Sequence, residues 1–472
     1  MKRTHSFLAL AVVAASLFLS CKHAPQVETI SLEAPFQMPA LTVPTFPERE
    51  FPITAYGAVE GLQHAEGDST LACINTEAFS KAISACNKAG GGHVVVPEGV
   101  WLCGPIHLES NVDLHLSEGA TVEFCDIPAL YLPAVQTSWE GLECLNYSPL
   151  VYAFGCENIA ITGKGCLKPR MTVWRSWFGR PEGHYEALKS LYEMAVADVP
   201  VAQRDMTARG NEHMRPHLLQ LNRCKGVLLE DFSIRESPFW TIHLLLCENA
   251  VVRGLDVYAH GHNNDGIDLE MTRNVLVENC IFDQGDDAVV IKSGRNHDAW
   301  RLHTPTENVV VRNCTVRNGH SLLGIGSEMS GGVNNIYMHH MQCPDNINRL
   351  FFLKTNHRRG GFIRNVTFEH VDANKVLSAF EIDTDVLYQW RDLVPTYDTV
   401  YTVIDSIAMR HVHVAYANAA IDLKGDEHQP VGTVVIDDVR VDSIGTFATQ
   451  VKNVSNLVKH DVFINGQKWE DN

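Results

Sequence analysis

The sequence predicts an all-β chain folded as a single-stranded, right-handed parallel β-helix with an N-terminal capping helix. Three observations carry this: an apolar phrase that recurs along the chain, β-branched alternation inside each copy, and no amphipathic helices between copies. The phrase opens on a small or polar residue, alternates apolar residues, then passes through a polar pair into a second apolar stretch. It reads Gly226-Val-Leu-Leu-Glu-Asp-Phe-Ser-Ile, Asn249-Ala-Val-Val-Arg-Gly-Leu-Asp-Val, Asn274-Val-Leu-Val-Glu-Asn-Cys-Ile-Phe and Asn308-Val-Val-Val-Arg-Asn-Cys-Thr-Val. Further copies start at Asn335, Asn365, Ser406 and Thr433, and Asn158-Ile-Ala-Ile-Thr opens the series. The spacing of roughly 23 to 41 residues suits solenoid coils with variable loops. Period-two alternation of β-branched residues makes each phrase a strand with one face inward. Without helices of 10–15 residues between phrases, a βαβ arrangement is excluded. Stacking coils about 4.8 Å apart turns each phrase position into a line of side chains down one face.

The other elements follow in chain order. Lys2 and Arg3 precede an apolar run over 7–19, then Ser20-Cys21. That run is too short to span a bilayer core of about 30 Å and reads as a secretory signal. The small residue before Cys21 resembles a bacterial lipoprotein cleavage site, with an ordinary signal peptide cut elsewhere as the alternative. Acylation of Cys21 would hold the protein to a membrane without spanning it, in the periplasm or at the outer membrane. Residues 22–51 are Pro-rich and aperiodic, a tether, and 52–472 form the β-helix domain. Residues 76–92 are an amphipathic helix ended by glycines, suited to covering the open solenoid end. A second helical stretch around 184–197 sits in a long insertion, where Trp174, Trp177 and Tyr185 either stack on sugar rings or pack the loop.

Composition narrows the function. A 472-residue chain with 45% hydrophobic and 20% charged residues is neither disordered nor a small stapled domain. Its net charge of −18, or −20 once residues 1–20 are removed, argues against nucleic acid as a partner. Its 13 cysteines form no C-x-x-C pair. Cys280 and Cys314 share one phrase position, so stacked interior thiols are expected rather than zinc ligands or disulfides.

An acidic constellation is the strongest functional feature. Residues 263–268 read Asn-Asn-Asp-Gly-Ile-Asp, followed a coil later by Gly285-Asp286-Asp287, then Gly319-His320-Ser321, then Leu353-Lys354. Each follows its coil's phrase at a similar distance, so all four are expected on one rim. Asp268 reads as strand continuation. Strict alternation would turn Asp286 and Asp287 to opposite faces, so a bend or bulge permitted by Gly285 is needed to expose both. Clustered carboxylates suit inverting glycoside hydrolysis, in which one carboxyl protonates the leaving oxygen and another activates water. Like charges about 5 Å apart at an effective dielectric near 20 repel by about 3 kcal/mol, which keeps one of them protonated. The cluster thus divides into acid and base with no metal or cofactor. Lys292, Arg295, His320, Lys354, Arg358 and Arg359 lie near these motifs, so an acidic shell can hold a basic cleft.

The four motifs resemble those of the polygalacturonases, glycoside hydrolase family 28, from Ala55-Tyr56-Gly57-Ala58 to about Trp390. Ser237-Pro238-Phe239-Trp240 and Gly326-Ser327-Glu328-Met329-Ser330 resemble the exo-acting bacterial branch. The resemblance implies a pectin-lyase-like solenoid and hydrolysis of α-1,4-galacturonosidic linkages with inversion. It makes Asp286 the general acid, Asp265 and Asp287 the groups that activate water, His320 the support of the acid, and Lys354 a ligand for a galacturonate carboxylate. Asn263, Lys292, Arg358 and Arg359 complete the expected substrate-binding set. Three positions depart from the family pattern. Asn264 replaces Thr; Ser321 replaces Gly and would restrict the backbone; Phe352 replaces the Arg of Arg-Ile-Lys. An aromatic ring cannot form the paired hydrogen bonds of a guanidinium. Either Arg349, Arg358 or Arg359 compensates, or the +1-side sugar is not a plain galacturonate, which favours rhamnogalacturonan or branched pectin. A calcium-dependent pectate lyase and a non-catalytic glycan-binding solenoid are the remaining alternatives. The expected partner is a pectic poly- or oligosaccharide, with membrane contact only through the anchor; nothing in the sequence identifies a protein partner.

Overall fold

The computed structural model describes residues 28–62, 68–386 and 399–470. The expected signal segment and its lipidation site Cys21 lie outside the described residues. Every copy of the phrase is a strand, and successive copies pair in parallel. One apolar position runs in register through Ile159, Val227, Ala250, Val275, Val309, Ile336, Val366, Ile407 and Val434. All of these side chains are buried, and each buried Val or Ile contributes about 1.5–3 kcal/mol.

The polar ends of the phrase have a backbone cause. Its first residue takes a positive φ in copy after copy: 53° at Asn158, 58° at Asn249, 59° at Asn274 and 56° at Asn308. The second residue of the closing polar pair does the same at Asp231, Asn279, Asn313, His340 and His370. Asn and Asp enter this left-handed region at lower cost than other L residues, so the two positions are the corners that bound each strand. The corner amides also bond coil to coil. Asn308 Nδ2 donates to Asn274 Oδ1 at 3.0 Å, and Asn335 Nδ2 to Asn308 Oδ1 at 2.9 Å.

Coils not apparent from the phrase stand at both ends. Gly92–Val96 and Val112–Leu116 stack under Glu157–Gly163 with Val94, Leu114 and Ile161 in line, and Val454–Ile464 pairs with the first half of Val431–Lys452. The capping helix runs Thr70–Lys88 and begins earlier than expected. Asp68 starts it by accepting hydrogen bonds from Thr70 N at 3.0 Å and Thr70 Oγ1 at 2.6 Å. Among the described residues every cysteine is free, and all but Cys73 and Cys166 are buried. No helix of the described residues is long and apolar enough to cross a membrane.

The tether expectation needs correction for residues 28–51, which lie against the solenoid. Thr29–Ile30 pairs antiparallel with Leu41–Thr42. Leu41 and Val43 are buried against Ala160, Leu228, Val251, Leu276 and Val310 on the outer side of one sheet. Asn249 fixes the strap by exchanging hydrogen bonds with Thr42 N and O at 3.0 and 2.6 Å. The apolar residues scattered among its prolines are what make this strap pack.

The insertion folds as expected into a helix, His184–Val196. It joins an antiparallel hairpin, Val135–Trp139 with Leu142–Asn146, and a helix, Asn296–Leu302, that the sequence did not suggest. A second core forms here: Trp139, Leu142, Leu188 and Tyr192 pack with Phe239 and Trp240. This core walls one end of a cleft. Trp174 and Trp177 are buried in packing contacts, whereas Tyr185 is exposed.

Candidate active site

The cleft floor is the face formed by Ile242–Leu245, Ile267–Glu270, Val289–Lys292, Ser321–Ile325 and the end of Val333–Lys354, paired in register. With Ile267, Val289, Leu323 and Phe351 aligned, Asp265, Asp287, Ser321 and Arg349 form one column at the start of these strands. Asp286 and His320 each stand one residue earlier. Lys292 and Lys354 lie at the opposite end of the strands, so the four motifs do not share one rim as expected. Their side chains instead converge across the strand face. Asp286 and Asp287 occupy a corner between Ile281–Gln284 and Val289–Lys292 rather than a bulged strand. Gly285 permits that corner, because a Cβ there would lie 2.5 Å from Gly261 N.

One carboxylate oxygen from each of Asp265, Asp286 and Asp287 lies within 4.8 Å of the other two. Asp287 is buried and fully engaged: Lys354 Nζ reaches Oδ2 at 2.7 Å and Ser321 Oγ donates to Oδ1 at 2.6 Å. Ser321 therefore does not merely replace a glycine. Its φ is not left-handed, so the backbone is not restricted there, and its hydroxyl orients a carboxylate. Asp286 keeps 20% of its side chain exposed and bonds His320 Nδ1 at 3.0 Å. Burial works to raise its pKa, but the hydrogen bond and charge of His320, with Lys354 and Lys292, hold it at about 2. The same bond raises His320 above its ordinary 6.5. Asp265 behaves oppositely: burial, then the charges of Asp268 and Asp286, push it well above the ordinary range. Burial first, and repulsion second, thus favour the protonated form at Asp265, whereas His320 favours the ionised form at Asp286.

Lys292 is buried between Asp265 at 3.9 Å, Asp268 at 3.8 Å and Glu328 at 3.1 Å, with Nζ 4.6 Å from the Trp240 ring centroid. Together with Lys354 it supplies counter-charge to the carboxylate cluster from within the chain. Glu328 also receives Arg295 at 2.6 Å and Arg359 at 3.7 Å. Burial would raise Glu328, yet these three cations hold it well below the usual carboxylate range. Arg359 further donates to Ser327 O and to Asn296 Oδ1 at 2.5 and 2.8 Å, so it braces the wall. Asn263 Oδ1 is taken by the buried Arg215 at 2.9 Å, and Asn264 Nδ2 donates to Ser237 O and Phe239 O, both at 2.9 Å. Arg358 has a buried Nη1 without a hydrogen-bond partner.

All nine expected catalytic and binding residues, from Asn263 to Arg359, line one cavity of about 370 Å³. So do Glu140, Trp240, Arg295, Glu328, Arg349 and Phe352. The lining mixes six lysine and arginine side chains with five carboxylates. Glu328 lies in the Gly326-Ser327-Glu328-Met329-Ser330 motif, which does not reveal its three cation partners; Glu140, which no motif surrounds, sits in the hairpin turn, whose next residue, Gly141, accepts from Arg295 N at 3.0 Å. Arg349 was weighed only as a substitute for Phe352, and its place in the Asp265–Asp287–Ser321 column becomes apparent only from strand register.

A family model described as "Glycosyl hydrolases family 28" matches residues 202–461, more than half of the chain. The chain is similar to the solved hyperthermoactive exopolygalacturonase from Thermotoga maritima, with 36% identity, a TM-score of 0.82, and coverage of 91% of this chain and 94% of that one. It is 27% identical over 306 residues to an exo-poly-alpha-D-galacturonosidase of Dickeya chrysanthemi, covering 60% of this chain and 48% of that protein. It is 25% identical over 305 residues to a probable polygalacturonase of Vitis vinifera, covering 62% and 56%. The matched region spans about half the length of these curated relatives. A polygalacturonase from Erwinia carotovora shares the fold at 19% identity, with a TM-score of 0.62 over 88% of this chain.

Proposed function

The chain belongs to family 28 of the glycosyl hydrolases, and from that premise we propose that it removes galacturonate from the ends of pectic chains with inversion. The carrying observation is the walled cavity in which three carboxylates meet a ring of cations. The hairpin and helices close one end, which suits a chain terminus better than the middle of a polymer. Arg358, whose buried Nη1 faces no acceptor among the described residues, offers positive charge to a uronate carboxylate, and Lys354 can do so while it holds Asp287. Asp286, the most accessible carboxyl of the triad, delivers the proton to the leaving oxygen. That single proton rests on the His320 imidazolium and passes through Asp286 to the leaving oxygen, leaving a neutral imidazole beside a carboxylate. Asp287 and Asp265, the latter once ionised, hold the attacking water. The oxygens lie closer together than the separation of about 6.5–9.5 Å usual for inverting pairs. The water therefore sits beside the acid rather than in a gap between two opposed carboxyls. Engagement of both Asp287 oxygens makes that group a poor nucleophile, which favours inversion over a covalent intermediate.

A time course on a panel of pectic oligosaccharides, followed by NMR, tests the reading. Monomeric galacturonate should accumulate from the first minutes, with the β-anomer appearing first. Early oligomers would overturn exo action, and a first-formed α-anomer would overturn inversion.

We further propose export and a lipid anchor at Cys21, supported by the short apolar run over 7–19 that precedes it. Labelled palmitate should enter the parent protein and not Cys21→Ser; equal labelling would dismiss the anchor.

A further inference from the structure

Away from the wall, the floor continues over three later coils in the same register. Phe352 aligns with Glu381, Asp422 and Gln450, while Lys354 aligns with Asp383, Lys424 and Lys452. A terminal sugar held at the wall leaves the rest of the chain to run over these coils. Three of the cations on this side, Arg349, Lys424 and Lys354, already have carboxylate partners within the chain. Arg349 Nε donates to Glu381 Oε2 at 2.9 Å and its guanidinium lies 4.5 Å from the Phe352 ring centroid. Lys424 pairs with Asp422 at 2.7 Å, and Lys354 with Asp287 at 2.7 Å. The Glu381 and Asp422 side chains are only 12% and 10% exposed. A uronate arriving here would meet two carboxylates with little water to screen them. It could recruit Arg349 only by stripping Glu381 of its partner. The Arg349–Phe352 stack, by contrast, offers a flat surface that makes no demand for negative charge.

We propose that the sugar on the leaving side of the scissile bond is uncharged, so that the enzyme frees a terminal galacturonate from a neutral or esterified neighbour. This rests on the reading of the site as a galacturonate-releasing hydrolase. It assigns Glu381, with Arg349 and Phe352, as the residues that determine leaving-sugar specificity.

The test uses the full chain and two substrates that differ in one charge: digalacturonate, and the same disaccharide methyl-esterified on its reducing sugar alone. The ester should have a kcat/KM higher by about tenfold or more, since like charges brought together in a complex are costly. Glu381→Gln should narrow that ratio by raising turnover of digalacturonate, and Asp422→Asn provides the same reading should the first variant fail to fold. Equal or faster cleavage of digalacturonate by the parent overturns the proposal while leaving galacturonate release intact. A ratio untouched by the variants overturns the assignment to this acidic pair. Release of galacturonate from neither substrate would instead overturn the hydrolase reading on which the proposal stands.

Discussion

Replacing Asp286 by Asn is expected to lower kcat by about 10²- to 10⁴-fold, the usual contribution of a positioned general acid, with the melting temperature unchanged. The fold should tolerate the change. Asp286 is a corner residue with 20% of its side chain exposed, and an amide oxygen can still accept the hydrogen bonds from Asp287 N and His320. What is lost is the proton. The same pair predicts the pH profile. His320 sits above 6.5 and Asp286 at about 2, so one proton stays on the pair between those limits and leaves as pH rises through the His320 value. Activity should therefore fall on the alkaline side, beyond 6.5. The acid limb should lie well above 3.8, where Asp265 ionises. Without the imidazole in His320→Gln, Asp286 must hold the proton unaided, and the alkaline limb should move to lower pH. Near-normal kcat in Asp286→Asn, or an alkaline limb that ignores His320, would remove the pair from the acid role.

Glu328→Ala is expected to cost about 3–5 kcal/mol of stability, the range for breaking a buried ion pair from one side. Glu328 is 7% exposed and faces Lys292, Arg295 and Arg359 together. Arg295 retains Glu140 at 3.4 Å, and Lys292 retains Asp265 and Asp268, so the loss is partial rather than threefold. Glu328→Gln should cost less, since its one amide oxygen can still accept from either Arg295 or Lys292, which now donate to different oxygens. In both variants Lys292 would turn toward Asp265 and make it harder to protonate, so the acid limb of activity should move to lower pH. Denaturant unfolding and a pH series provide the check. A loss below 1 kcal/mol for Glu328→Ala would mean that the cations are solvated after all.

The sequence made the solenoid and its acidic centre apparent for different reasons. Copies such as 308–316 combine β-branched alternation with an Asn that only a left-handed corner requires, so core and corner requirements coincide in one string. The coil at Val112–Leu116 alternates as well and has its own left-handed corner, Asn111, whose Oδ1 accepts from Asn158 Nδ2 at 3.3 Å, but this coil and Gly92–Val96 lie amid other elements. Asp265, Asp286, Asp287, His320 and Lys354 were legible because each sits in a short polar motif one coil from the next. The role of Ser321 was not, since a hydroxyl in place of glycine carries no sign of the carboxylate it will orient. The joint role of Glu140 and Glu328 was beyond reach for a further reason, although Glu328 stands in the 326–330 motif. Their function arises where a hairpin turn meets a distant loop, and no periodicity links 140 to 328. Residues 28–51 misled through their prolines, although Leu41 and Val43 already offered apolar side chains to bury.

The corner ladders have a consequence for how such a site can change. Asp265, then Asp286 and Asp287, then His320 and Ser321, then Arg349 and Lys354 come from successive coils, so their separations are set by the hydrogen-bonded pitch of about 4.8 Å. Spacing is thus a property of the scaffold, like the divisions engraved on a ruler, and individual side chains only choose what stands at each mark. New substrate preferences can arise by exchanging one letter at a fixed station, as at Phe352, without retuning the acid or the base. Loops beyond the corners can lengthen freely, as the wall-building insertions have. A single residue added inside a strand would instead shift that strand's side chains from one face to the other, and the reacting groups it carries would leave the cleft.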